Sequence, residues 1–356
     1  MKERNQSIDA VKGFAILLVM LGHCIVWNNM APQDSYVYDF IKSVQMPLFM
    51  AVSGYLAGLG QKRRNLKEMG SLLLKRGQAY LIPFFIWPIL LHPLHPLLET
   101  KGILFQLDKG LWFLMTLFVA TVVSELAQWV SYQFCPAEKE KKLLQPILYL
   151  IVIFLFYVLF FLQGRSGFTL LGPSLTLSYL PFYVGGYVST YLTQEKCVKP
   201  ENAGPRRIFQ AVLWVLWALA GALFLGMIVL FDLQASGGIK ELAVQMAAGA
   251  FGTFFCFWGI YHIKKGKAYG GLARIGNTTL ELYIFQYALH GVFVRSRGLG
   301  DTPYSLYTGS GVLIVLLTFL LMWFVSIPGI YIIRKIPLLD ALLFGRLQRL
   351  GKTVQK

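Results

Sequence analysis

Apolar residues in this chain gather into long runs, separated by short stretches rich in Lys, Arg, Pro and Gly. Ten such runs, at 7–27, 43–60, 79–97, 109–131, 145–162, 178–194, 208–231, 241–263, 275–295 and 307–333, are each long enough as helices to cross roughly 30 Å of hydrocarbon. The pattern predicts an all-α polytopic membrane protein, a bundle of about ten transmembrane helices. Pro83, Pro88, Pro93 and Pro96 punctuate the third run, which predicts a kinked helix whose freed carbonyls are satisfied by neighbours. Ahead of it, "GQKRRNLKEMGSLLLKRGQAY" mixes basic and apolar residues at helical spacing and is expected to lie along the inner surface before the third span. The first run reads as a transmembrane helix, not a signal peptide: Asp9, Lys12 and His23 interrupt it, and further runs follow.

Composition strengthens this picture. Of 356 residues, 56% are hydrophobic and 14% charged, where a soluble domain carries about a quarter charged residues. The mean hydropathy is +0.57. A soluble α/β enzyme is excluded. The net charge of +16 would by itself suggest nucleic acid, but the basic residues fall in short clusters between apolar runs, so no nucleic-acid partner is expected. One set of alternate loops, with the tail, holds 25 Lys and Arg residues and the opposite set seven. The asymmetry predicts that both termini are cytoplasmic and that the number of spans is even. Cys24, Cys135, Cys197 and Cys256 lie in separate segments without regular spacing, which indicates neither a disulfide framework nor a zinc site. No internal repeat, low-complexity segment or long loop interrupts the pattern. The expected organisation is one transmembrane domain over 1–333 and a basic cytoplasmic tail over 334–356.

Polar residues inside apolar runs carry the functional signal. Lys12 and His23 are separated by ten residues in the first run, which returns them to within about 20° of one helix face, about 16 Å apart along the axis. Lys12 then belongs near the cytoplasmic boundary and His23 in the outer half. Ionisable groups at such depths usually face a bundle interior or a wet cavity. Lys12 can alternatively snorkel to the interface beside Asp9, and a histidine of this kind can simply be satisfied by a carbonyl. A low dielectric favours the neutral imidazole, the form that accepts a proton.

"SIDAVKGFAILLVMLGH" resembles the opening helix of the acyltransferase 3 family of membrane acyltransferases, whose signature is a basic residue, normally arginine, then ten residues and a histidine. Lys12 stands where arginine is usual. "MPLFMAVSGYLAG" is similar to the family's second helix, which ends in Ser-Gly-aromatic, here Ser53, Gly54 and Tyr55. "LLLKRGQAYLIPFF" resembles the basic start of its third helix, with Arg76 the best match to the family's arginines; Ala79 and Tyr80 stand where a further basic residue is often found. "KGLWFLMTLFV" resembles its Trp-Phe-Leu motif at Trp112, Phe113 and Leu114, and "YLPFYVGGYV" its proline-to-glycine helix. "LARIGNTTLELYIFQ" is similar to its late helix, although the family often has Ser and a final His where this chain has Thr279 and Gln286.

The resemblance implies an integral membrane O-acyltransferase of the plasma (inner) membrane, multi-pass, moving an acyl group, commonly acetyl, from cytoplasmic acetyl-CoA or another acyl-CoA. The implied acceptor is a hydroxyl of an extracytoplasmic glycan or lipid-linked sugar. His23 is then the general base, while a covalent acyl-histidine stays open beside direct transfer. Lys12, Arg76 and Lys75 become the cofactor-binding cations. Trp112, Ser53 and Tyr55 join the substrate-binding set, with His92 and His95 in an outer loop touching the acceptor. No metal is expected: prolines surround that His pair, and no HExxH pattern is present. Thr278 and Glu281 read as helix capping or core packing. Two other classes stay open: an exporter of polysaccharide or polar solute, with Lys12 and His23 lining a pathway, and a sensor or scaffold that keeps the fold alone. Homo-oligomerisation is left open.

Overall fold

A computed structural model describes residues 5–28, 35–60, 65–91, 96–107, 110–134, 144–193, 203–235, 238–263, 266–295 and 306–347. Among them stand thirteen helices and no strand: α1 (Gln6–Trp27), α2 (Tyr36–Gly58), α3 (Leu66–Leu91), α4 (Pro96–Phe105), α5 (Trp112–Phe134), α6 (Leu144–Arg165), α7 (Pro173–Thr193), α8 (Ala203–Leu230), α9 (Ile239–His262), α10 (Lys267–Gly276), α11 (Thr279–Arg295), α12 (Gly309–Lys335) and α13 (Pro337–Phe344). The chain is an all-α polytopic membrane protein. Among the described residues each predicted run overlaps a helix; residues 92–95, 109 and 194 lie outside them. Among the described residues six helices, α1, α5, α6, α8, α9 and α12, are long and apolar enough to cross a bilayer by length and composition alone. The other four runs fall on α2, α3 and α7, whose polar, Gly and Pro residues lower the hydropathy, and on α11, which at 17 residues is too short.

Two compact units divide the chain: residues 1–53 with 189–326, and residues 54–188 with 327–356. In the first unit α1 is the hub, packing on α10 above all and also on α9 and α11, while α8 pairs with α9. Its start is fixed locally, because Asn5 Oδ1 accepts hydrogen bonds from the Ser7 and Ile8 amides at 3.0 and 3.4 Å. Its end is fixed by Asn28, whose Nδ2 donates to the Cys24 carbonyl at 2.8 Å and to Thr318 Oγ1 at 3.0 Å. Backbones meet directly where α1 crosses α10. A Cβ on Gly13 would fall on the Leu272 carbonyl, and one on Gly276 would fall on the Asp9 carbonyl. Tyr269 Oη adds a hydrogen bond to Ser7 Oγ at 2.6 Å.

In the second unit α5 packs on α3 and α6, and α3 also meets α4 and α13. Of the basic stretch ahead of the third run, residues 66–80 form the first turns of α3, which continues through Pro83 and Pro88 to Leu91; residues 61–64 lie outside the described residues. Within the stretch expected to be a basic tail, residues 337–344 form α13, with Asp340, Ala341, Leu343 and Phe344 buried. Trp87 Nε1 donates to the Leu343 carbonyl at 2.9 Å. Gly345, at φ 68°, closes α13 in the left-handed region, and a Cβ there would fall on the Gln78 carbonyl, so only glycine fits.

Candidate active site

The first unit builds its site on α1. Lys12 does not project as a free cation. Its Nζ lies 2.7 Å from Asp9 Oδ1, one turn earlier, and Asp9 is buried beneath the α10 crossing. The ion pair pins Lys12 in place and offsets much of its charge. Eleven residues on, about 16 Å along the axis, His23 is half-buried with Nδ1 shielded from solvent, and its ring stacks on Trp27 at 5.5 Å and 13°. Gly22, the preceding residue, lets α2 approach closely: a Cβ there would lie 3.0 Å from Ile41 Cγ2 and 3.1 Å from Gln45 Oε1. The imidazole therefore has an aromatic face on one side and a buried carboxamide next to its own backbone.

At the start of α2, Asp39 is buried and accepts a hydrogen bond from Gln234 Nε2 at 2.7 Å. Burial raises its carboxyl above the usual range; Gln234 and Lys42 pull it back, and Asp232 pushes it up. Ser53 is half-buried in the last turns of α2.

The second unit brings a different set together. Just after Ser53, a Cβ on Gly54 would fall on the Tyr183 carbonyl, so the Ser-Gly-aromatic motif is first a backbone contact between α2 and α7, with Tyr55 half-buried beside it. Arg76 Nη1 donates to Tyr80 Oη at 3.1 Å, and the guanidinium stands 6.0 Å from that ring's centroid; Tyr183 and the buried carboxylate Glu125 are within its electrostatic reach. Lys75 is exposed on the same helix. The inner faces of α5, α6 and α7 are joined by side-chain hydrogen bonds. Thr121 bonds Tyr183, Ser124 Oγ pairs with Tyr149 Oη at 2.9 Å, and Gln128 Nε2 donates to Tyr187 Oη at 2.6 Å. Tyr149 and Tyr187 stack at 4.4 Å. Trp112, half-buried at the start of α5, lies against Tyr179 at 5.2 Å and 31°.

Segments that carry the quoted motifs meet in pairs: the opening helix with the late one at Asp9 and Gly276, and the second and third helices with α7 at Gly54 and Arg76. The model of an acyltransferase domain matches residues 5–333, nearly the whole chain. The chain belongs to the acyltransferase 3 family. It is therefore a multi-pass membrane acyltransferase, and an acyl donor is one of its substrates. Two similar relatives are both called nodulation protein NolL. The one from Sinorhizobium fredii is 24% identical over 326 residues, covering 80% of this chain and 78% of the relative. The one from Mesorhizobium japonicum is 26% identical over 147 residues, covering 36% of this chain and only 39% of the relative. No solved structure matches the chain.

Sequence reasoning passed over Glu125, Gln128, Tyr183 and Tyr187. The signal was present: Thr121, Ser124, Glu125 and Gln128 recur at helical spacing on one face of an apolar run, and a lone intramembrane carboxylate marks a functional position by default. The tyrosines of α7 carry no such signal in the sequence; Tyr183 and Tyr187 are buried. Thr278 Oγ1 donates back to the Ile275 carbonyl at 3.0 Å, so that hydroxyl serves the turn between α10 and α11, and Glu281 is buried in the first turn of α11. His92 and His95 lie outside the described residues, as do Cys135 and Cys197. Among the described residues no group of three or more His, Cys, Asp and Glu could hold a metal ion.

Proposed function

We propose that this acyltransferase carries a small acyl group, acetyl foremost, from cytoplasmic acyl-CoA to a hydroxyl of an extracytoplasmic sugar, glycan or lipid-linked sugar in the plasma membrane, with both termini cytoplasmic. His23 is the general base. The observation that carries the reading is an imidazole held half-buried on the helix at the centre of its unit, with Nδ1 shielded from solvent. A neutral imidazole takes the proton of the incoming hydroxyl as its oxygen bonds the thioester carbonyl carbon. The tetrahedral intermediate then expels the CoA sulfur, which takes the proton from the imidazolium. The result is an O-acyl ester and free CoA. A base so held contributes about 10²- to 10⁴-fold.

Phosphates of the donor are assigned to Arg76, with Lys75 beside it, because a guanidinium offers a fixed fork of donors. Lys12 contributes less charge, since Asp9 shares it. Trp112, Ser53 and Tyr55 are assigned to the substrates, and His92 and His95 to the acceptor.

Membranes holding the full chain, labelled acetyl-CoA and candidate glycans are expected to yield an alkali-labile O-acyl ester, and His23→Ala to abolish it while inserting normally. Solute movement without any acyl donor, unchanged in His23→Ala, would instead establish an exporter.

A further inference from the structure

α11 begins after a two-residue turn at Asn277 and Thr278, and both α10 and α11 pack on α1. α10 runs down α1, from the Gly13–Leu272 contact to the Asp9–Gly276 contact, and the turn then sends α11 back along it. Gln286 sits on α11 at 1% exposure, and neither Oε1 nor Nε2 has a hydrogen-bond partner. Counted from the start of α11 at Thr279, Gln286 is about 10 Å along its helix, and His23 is about 21 Å along α1 from the Asp9–Gly276 contact. The two residues therefore lie about two helical turns apart in height.

Gln286 has company in this. Gln45 Oε1, against Gly22, is buried without a partner, and so is Thr253 Oγ1 on α9. Gly252, next to Thr253, meets Val44, next to Gln45, so α2 and α9 bring Gln45 and Thr253 to one neighbourhood beside α1, on which α11 also packs. An apolar interior built only for packing would hold Met or Leu at position 286, because a buried carboxamide with no partner is a standing cost.

We propose that Gln286, with Gln45, is a binding site for a secondary amide of a substrate. This rests on the acyl-transfer reading. A carboxamide side chain donates through Nε2 and accepts through Oε1, the complement of an amide that offers one C=O and one N–H. Two sources carry that group. The pantetheine arm of acyl-CoA has two secondary amides in series before the thioester, and an acylamino sugar has one on the acceptor.

The test is Gln286→Met in the full chain, with Gln45→Met as a second variant should the first fail to insert. Each is reconstituted in nanodiscs and measured for thermal unfolding, for equilibrium binding of acetyl-CoA, and for kcat/KM with acylamino and amide-free sugar acceptors. Gln286→Met is expected to unfold at the parent's temperature or a few degrees higher, and to lose at least tenfold in kcat/KM. Weaker acetyl-CoA binding assigns the amide to the donor; a loss confined to acylamino sugars assigns it to the acceptor. Parallel loss of stability and activity would make Gln286 a packing residue and overturn the proposal, as would unchanged kinetics. A parent chain that transfers no acyl group fails the enzymatic reading itself, a result separate from either outcome for the variant.

Discussion

α5 and α6 lie side by side in the same unit, both long enough to cross a bilayer, yet they are built oppositely. In α5, 72% of the apolar window is buried and the inward face carries Thr121, Ser124, Glu125 and Gln128. In α6, with a mean hydropathy of 2.5, only 11% is buried, and Phe154, Leu155, Leu159 and Phe161 face outward. The first unit repeats the contrast: α1 is 67% buried and bears Asp9, Lys12 and His23, whereas α8 and α12 are each 22% buried and almost wholly apolar. The most hydrophobic helices are thus the most exposed, as expected where lipid is the solvent and packing selects small and polar residues instead. The residues proposed to act on α1 belong to a helix that hydropathy ranks below α6, α8 and α12.

Substitutions on the inner helices should therefore cost far more than equivalent ones outside. The largest effect on folding is expected for Gly276→Val, because the Asp9 carbonyl occupies the space of any Cβ; a loss of about 3 kcal/mol or more should appear as little folded protein in size-exclusion chromatography. Lys12→Met removes the cation that pairs with the buried Asp9 carboxylate and should cost about 2 kcal/mol, below the range for a fully buried pair because Lys12 is 18% exposed. Lys12→Arg should retain both the pair and the fold, which thermal unfolding in detergent can check. Gln128→Leu breaks the bond to Tyr187 and should cost about 1 kcal/mol, whereas Phe154→Ala on α6 should cost much less.

The smallest effect belongs to Asp39. Its carboxyl is raised in the folded state above its unperturbed 3.8, so the folded protein binds the proton more tightly than the unfolded chain. Stability should therefore fall as pH rises from 3.8 towards that higher value, and Asp39→Asn should flatten the slope while keeping an acceptor for Gln234. A steeper slope in the variant would contradict this.

How much of this was legible in the sequence differs by feature. Long apolar runs located the major helices, since a span of lipid demands a contiguous stretch. The short helices α4, α10 and α13 escaped, because eight to ten residues are too few to register in any window tuned to a bilayer. Lys12 and His23 were visible as ionisable interruptions of the first run. That Asp9 would offset Lys12 was foreseeable from their spacing, but that Gly13 and Gly276 would bring α10 onto the same turns was not, because a glycine does not name the backbone it admits. Glu125 was hidden by its apolar neighbours. Gln286 registered only as a departure from a family pattern; its unpartnered amide is a property of three-dimensional packing.

The account turns on His23 removing a proton from the acceptor. The most direct measurement is the rate of labelled O-acyl ester formation by His23→Gln, at matched amounts of folded, inserted protein. A fall of about 10²- to 10⁴-fold is expected; a rate within threefold of the parent would show that the imidazole is not the base.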